Sequence, residues 1–406
     1  MNRPEFSVLL PTRNRVRLLA EAIETVRAQD FEDWEIIVSD NASVEDVGGL
    51  VESIGDGRIV YLRSDKPLPV TDNWNRAVDA ARGRWVVMLG DDDGLVPGYF
   101  RAMQAACAAL NFPEIVYHGA YHFMAPDVLP GQPEGSLSDV TRMHSLLLGH
   151  DGPSLLPRAQ CEAAARAALD MRAIYGFNMQ YFLFRADFLD RMRQFGPVFR
   201  GPYPDFYAAN MALLLAEKVG AIPAPMTVIG ITRKSYGYFH FNNNEAAGVD
   251  FLANQDFADH VSPELRQHLL PGSLMNTLWL VSVALVRDSL PDMPDLHLGI
   301  ERYRRLQILE NCINQARKAS VATRERLDLI PLLRFNERLL LLALRMIVWL
   351  LIFLPPRWLA AFAIRANRFM DQYHDTGEGA RRLPLAPRSM TEAIAGLRER
   401  KKDQVS

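Results

Sequence analysis

Short, unbroken apolar runs alternate with stretches of helical periodicity over the first hundred residues. FSVLLP, Phe6 to Pro11, has the length and continuity of a strand covered on both faces. Leu18, Leu19, Ala22, Ile23 and Val26 then recur at helical spacing. WEIIVSD (Trp34 to Asp40) predicts a second buried strand, Val47 to Ile54 a helix, and RIVYLR (Arg58 to Arg63) a third strand. Val70 to Arg82 reads as a helix stopped at Gly83, and WVVML, from Trp85, as the fourth strand. Alternation at this rhythm implies βαβ units with right-handed crossovers and a parallel sheet.

The fourth strand runs through one glycine into Asp91, Asp92 and Asp93. Carboxylates this close repel and raise one another's pKa, so either a positive group sits among them or water solvates them. The predicted sheet suggests a reason for their place. Ligands of open α/β sheets bind beyond the carboxyl ends of the strands. Three polar clusters lie at such ends: Thr12 to Arg15, Asp40 with Asn41, and Asp91 to Asp93. PTRNRVRLL after the first strand has neither G-x-G-x-x-G nor G-K-[ST], which disfavours a dinucleotide dehydrogenase and a P-loop nucleotidase. A phosphate bound here needs another positive group, and a Mg²⁺ or Mn²⁺ held by the aspartates would supply one. The plain alternative is a solvated turn, since acidic residues ahead of Pro-Gly are common in turns.

Composition narrows the picture slightly. The 406 residues are 49% hydrophobic and 23% charged with a net charge of −3, so the basic footprint of a nucleic-acid binder is missing. Cys107, Cys161 and Cys312 are far apart and odd in number, which favours a reducing, cytoplasmic setting over a disulfide framework or a metal site. The N-terminal apolar stretch is too short for a signal peptide and already reads as a strand.

SVLLPTRNR, WEIIVSDNAS and NWNRAVDAARGRWVVMLGDDDGLVPGYF, in this order and separation, resemble the successive motifs of glycosyltransferase family 2. The resemblance covers about residues 5–120 well and weakens towards 240. It implies an α/β fold of the GT-A type: a nucleotide-diphospho-sugar transferase with a Rossmann-like, mostly parallel sheet, here followed by an α-helical C-terminal extension. It also implies a nucleotide-diphosphate sugar donor with Mn²⁺ or Mg²⁺. Carried over by position, Pro11, Thr12, Arg15 and Asp40 would hold the donor nucleotide, with Asp40 towards base or ribose. Asp91 and Asp93 would be the D-x-D element at the metal, with Asp92 beside the nucleotide. Many members read L-D-x-D-D where this chain reads Leu89-Gly90-Asp91-Asp92-Asp93, so the register stays open between Asp91 with Asp93 and Asp92 with Asp93. Asn75 occupies a position where the family often has an asparagine. A donor contact and an exposed helix amide are both open for it.

Transfer to an acceptor hydroxyl needs a base beyond the donor half. FRGPYPDFYAANMALLLAEKVG offers Asp205 just ahead of an apolar helix, where the family places the base of an inverting displacement. Asp205 as a helix cap is the competing reading, and Asp187 in FRADFLDRM is the rival carboxylate. Lys234 and His240, in ITRKSYGYFHFNNN, match loosely a family region that meets the diphosphate or metal. His118 and His122 have i, i+4 spacing, but EIVYHGAYHFM reads as a strand, which argues against zinc.

After about Val249 the pattern turns helical. Residues 1–245 are thus expected as the transferase domain and 246–406 as a helical region. Within it, 339–369 begins with 16 apolar residues broken by Arg345, short of the ~20 of a span. This segment predicts either an interfacial helix on the inner face of the plasma membrane or a buried helix or homo-oligomer seam. The tail from Thr376 reads as flexible and solvated. The expected activity is transfer of a sugar to a cell-surface glycan or lipid-linked saccharide. A nucleotidyltransferase or an inactive glycan-binding member are the alternatives.

Overall fold

The computed structural model describes residues 3–129, 131–235, 238, 261–316, 327–351 and 379–403. Strands Phe6–Thr12 (β1), Trp34–Asp40 (β2), Ile59–Arg63 (β3) and Trp85–Met88 (β4) are joined by helices Val16–Arg27 (α1), Val47–Ile54 (α2) and Val70–Ala80 (α3). These are the elements the apolar pattern predicts, and all four strands are parallel, in the order β4-β1-β2-β3. Side chains alternate along β1. Phe6, Val8 and Leu10 enter the core layer that also holds Leu19 and Ile23 of α1, whereas Leu9 joins the layer on the opposite face.

The chain continues through Gly94–Leu95 (β5), Tyr99–Ala109 (α4), Ile115–Met124 (β6), Ser136–Asp139 (β7) and Ser154–Leu156 (β8). Arg158–Leu169 (α5), Phe182–Arg185 (β9), Ala186–Arg193 (α6), Pro204–Leu215 (α7) and Val219–Ile231 (β10) follow. β9 pairs antiparallel with both β4 and β6, and β10 runs parallel to β6. The sheet is therefore mixed, with its longest ladders parallel. Helices α5 and α7 close the second face together with the helix Leu274–Ser289, whose Trp279 indole N–H donates to the Ala168 carbonyl at 3.1 Å.

Helices Ile300–Ala316 and Phe335–Leu351 complete the C-terminal region, locked by a buried Arg304–Glu337 pair with both contacts at 2.6 Å. Phe335–Leu351 leaves Phe335, Leu339, Leu342, Met346 and Trp349 exposed. Its continuation, 352–369, lies outside the described residues.

Two expectations are corrected. Residues 379–403 are a docked segment rather than a solvated tail: Arg381–Arg382 (β11) adds to the edge of β7, and the helix Met390–Asp403 packs on α1 and β5. Its apolar residues Ala393, Ile394 and Leu397 are buried against Phe123 and Val228, giving the chain end a hydrophobic reason to stay. A clean boundary at 245 does not survive this, since the C-terminal region contributes a strand to the sheet of the first.

Candidate active site

A cavity of about 1030 Å³ opens beyond the carboxyl ends of β1, β2 and β4. The sheet register puts the acidic loop at its rim. Phe6 lies opposite Trp85, and the same offset of 79 residues brings Thr12 level with Asp91, whose Oδ2 accepts the Thr12 hydroxyl at 2.7 Å. Arg15, where α1 begins, donates to Asp91 Oδ1 at 2.7 Å and lies 3.7 Å from Asp92 Oδ2. Its other guanidinium nitrogen meets the Lys234 carbonyl. The positive group demanded by three adjacent carboxylates is thus a guanidinium, and the solvated-turn alternative fails: Asp91 and Asp93 are 3% and 2% exposed.

Each carboxylate has its own partners. Asp93 Oδ2 accepts Gly90 N–H at 2.9 Å and Gln180 Nε2 at 2.6 Å, and its Oδ1 accepts Gly230 N–H at 2.8 Å. Asp92 accepts the Ser235 hydroxyl. The sequence departure at Gly90 has a steric reason: a Cβ there would come within 2.4 Å of Asp93 Oδ2, blocking the fold-back of that carboxylate. Burial pushes the Asp91 and Asp93 carboxyls above the usual range, Arg15 opposing it at Asp91 and the Gly230 and Gly90 amides at Asp93. Burial also works against the Arg15 charge, yet Asp91, Asp92 and Asp93 outweigh it and raise its pKa.

Among the described residues, no three His, Cys, Asp or Glu side chains stand together so as to hold a metal ion. Asp91 takes one donor on each oxygen and Asp93 only one on Oδ1, so both have acceptor capacity left. This donor set suits a cation shared with a diphosphate and does not suit a caged, resident one.

Asp205 lies in the first turn of α7, with Pro204 at its start, and lines the same cavity. No side-chain cap closes this helix; Asp205 Oδ1 accepts the neighbouring Phe206 N–H at 3.0 Å, and its own amide also faces the carboxylate. The capping reading is therefore not supported. Tyr203, Phe206, Phe177 and Met275 form the adjacent wall. Burial raises the Asp205 carboxyl to about 6, with the Phe206 amide only partly opposing it.

Other expected residues fall elsewhere. Asp40 is fully buried, with its oxygens taken by Tyr61, Arg63 and the Ser43 amide at 2.8 to 2.9 Å; Asn41 lines the cavity instead. Asp40 itself does not line the cavity. Asn75 is neither a cavity residue nor an exposed amide. It clamps the Phe199 backbone at 2.8 and 3.0 Å, tying α3 to the segment that leads into Asp205. Lys234 does not line the cavity itself and spends its ammonium on the carbonyl of the lining residue Asn14 at 2.6 Å and on Glu45 at 3.3 Å. His240 lies outside the described residues. Asp187 is exposed and paired with Arg185, which lowers its pKa, so the rival base is not in the cavity. His118 is buried beside Tyr99, whereas His122 lines the cavity and meets the Tyr181 hydroxyl at 2.9 Å. Pro11, Thr12, Arg15, Asp91, Asp92 and Asp93 all line it.

Gln180, Gly230 and Ser235 escaped the sequence reading. Each meets the acidic loop from more than 80 residues away, and no local pattern marks them.

Residues 7–127 match the family model described as Glycosyl transferase family 2. The GalNAc(5)-diNAcBac-PP-undecaprenol beta-1,3-glucosyltransferase of Campylobacter jejuni is 42% identical over 98 residues, 23% of this chain and 32% of that protein. The putative colanic acid biosynthesis glycosyl transferase WcaA of Escherichia coli is 34% identical over 98 residues, 24% and 35% of the two chains. The match thus spans about a third of the length of these curated relatives. Among solved structures, S. aureus TarS 1-349 is similar at a TM-score of 0.43 and 12% identity, over 80% of this chain and 87% of that one.

Proposed function

We propose, for a chain whose residues 7–127 carry a glycosyl transferase family 2 domain, that it moves a sugar from a nucleotide-diphosphate sugar to an acceptor hydroxyl. The observation that carries this reading is one cavity lined by both the Asp91–Asp93 loop with Arg15 and an Asp205 whose carboxyl titrates near 6. The relatives named as acting on an undecaprenol-linked saccharide and in colanic acid biosynthesis support a lipid-linked or cell-surface glycan as acceptor.

Pro11, Thr12 and Asn41 bind the nucleoside side of the donor at the strand ends. Arg15 faces its diphosphate, where the guanidinium offsets charge that grows as the leaving group departs. Asp91 and Asp93 would hold Mn²⁺ or Mg²⁺ together with the diphosphate, and such an ion supplies Lewis-acid stabilisation of the leaving group. The acceptor oxygen attacks the anomeric carbon while the bond from that carbon to the diphosphate oxygen breaks, and Asp205 takes the hydroxyl proton. A single displacement of this kind inverts the anomeric centre. At neutral pH Asp205 is ionised, yet basic enough to accept a proton.

No helix among the described residues is long and apolar enough to cross a membrane. The exposed apolar side chains of Phe335–Leu351 begin a stretch, 338–370, with five arginines and no acidic residue. Peripheral contact with anionic lipid accounts for both features. Co-flotation with anionic but not neutral liposomes is expected; flotation with neither removes this part of the reading.

A screen of nucleotide sugars for Mn²⁺-dependent hydrolysis and transfer tests the activity. Transfer that falls by about two to four orders of magnitude in Asp205→Asn is expected, and no turnover or binding with any nucleotide sugar would sink the proposal.

A further inference from the structure

The acidic loop is assembled from three elements. α1 starts at Arg15, β5 follows directly on Asp93, and β10 supplies the Gly230 amide to Asp93. One C-terminal segment touches all three. Glu21 of α1 accepts the Met390 and Thr391 amides at 2.9 and 3.4 Å, an acidic side chain at the start of the last helix. The Met390 side chain fills the space beside β5 and β10. A Cβ on Gly94 would lie 2.9 Å from its Sδ, and one on Gly230 3.4 Å from its Cε. Further along, Lys401 Nζ donates to the Pro97 carbonyl at 3.3 Å. Ahead of the helix, Leu383 N–H donates to Leu137 at 2.8 Å, beside the β11–β7 ladder, and Ala380 lines the cavity itself.

We infer that residues 379–403 are part of the donor site: a clasp that holds the Asp91–Asp93 loop in its binding position, with Met390 as the positioning residue. The inference rests on the donor reading above. Its physical basis is the pair of glycines. Gly230 packs so closely on the loop that a Cβ would come within 1.9 Å of the Asp92 carbonyl, and Gly94 has no side chain with which to hold itself. Met390, 3% exposed, is the atom mass that fills the outside of both. Without it the Gly230 strand and the loop can move apart, and the Gly230–Asp93 bond is the first to lengthen. Asp93 then loses the amide that orients its Oδ1, the oxygen with acceptor capacity left. The chemistry at Asp205 is untouched, because among the described residues the hydrogen bonds of 379–403 go to α1, β7 and the β5–α4 turn and none goes to α7.

The test compares full-length Met390→Ala, Met390→Leu and Glu21→Gln with wild type. It reads donor KM, kcat, UDP and GDP affinity by calorimetry, and hydrogen exchange at the Gly230 amide. Met390→Ala should weaken nucleotide affinity and raise donor KM by roughly three- to thirtyfold, the range for residues that act through packed neighbours. Its kcat should stay within about twofold, its Gly230 amide should exchange faster, and Met390→Leu should restore all three. Glu21→Gln, which preserves size, should shift the same quantities in the same direction by less. A lower melting temperature with unchanged nucleotide affinity and unchanged Gly230 exchange would overturn the inference, leaving a segment that only adds stability. If wild type binds neither nucleotide, the donor reading fails instead. The exchange arm then still decides the clasp, and unaltered Gly230 exchange in Met390→Ala refutes it.

Discussion

Two carboxylate sites share one cavity and are built in opposite ways. The Asp91–Asp93 loop is crowded with donors: a threonine, an arginine, a glutamine, a serine and two backbone amides. Among the described residues Asp205 has the Phe206 amide and its own, no cation, and a largely aromatic wall. The first arrangement keeps acidic side chains fixed and partly compensated, which suits holding a charged ligand. The second leaves a carboxylate whose ionised form is poorly supported, so its basicity rises into the range useful for proton transfer. The same residue type becomes a binder or a base according to the donors the fold delivers to it.

The largest effect that separates the sites is expected at Asp205. Asp205→Asn should lower transfer by about two to four orders of magnitude, the scale of general-base catalysis, with nucleotide affinity within about twofold. Near-normal transfer would merge the two sites into one binding patch. Next comes Arg15→Ala, which removes the cation from a buried cluster. Donor affinity should fall about ten- to a hundredfold, and the melting temperature should drop, because breaking a buried pair costs about 3–5 kcal/mol. Unchanged thermal stability would mean that solvent, not Arg15, compensates the loop.

Stability should respond with the opposite sign at Asp205. Its folded pKa is raised, so its protonated form favours the fold, and this contribution is lost as pH rises through about 6. Asp205→Asn should therefore stabilise the protein at pH 7.5 by up to about 2 kcal/mol, and by much less at pH 4. Denaturant melts at both pH values check this; equal shifts would show that Asp205 is not strained by ionisation. A smaller effect is expected from EDTA, since the described residues form no metal cage on their own. Nucleotide affinity should weaken about tenfold while the melting temperature of the nucleotide-free protein stays constant.

The parts legible in the sequence are those whose causes are local. β1 to β4 announce themselves through continuous apolar runs, and α1 to α3 through helical spacing, because a two-faced sheet and one-sided helices impose these patterns directly. Register then carries Asp91 to Thr12 without further information. The place of Asp205 at the head of an apolar helix after a Pro-containing loop is also legible locally, and the structure puts that helix start in the cavity wall. The remainder depends on encounters that sequence distance hides. Gln180 meets Asp93 across 87 residues, and Met390 meets Glu21 across 369. Asp40 and Asn75 were misplaced for the same reason: Tyr61, Arg63 and Phe199 claim their polar atoms, and none of the three carries a signal of doing so. The C-terminal tail looked solvated because a short strand and a basic helix show their apolar face only once β7, β5 and α1 stand beside them.

The pH dependence of kcat/KM for transfer, in wild type and Asp205→Asn with donor binding followed separately, tests the central claim most directly. Asp205 acts as a base only when ionised. With the pH dependence of nucleotide affinity divided out, wild-type kcat/KM should be flat above about pH 6 and fall about tenfold per unit below it. The residual activity of Asp205→Asn should lack that limb. A wild-type limb that persists in Asp205→Asn, or one that vanishes once nucleotide affinity is divided out, would contradict the assignment of proton transfer to Asp205.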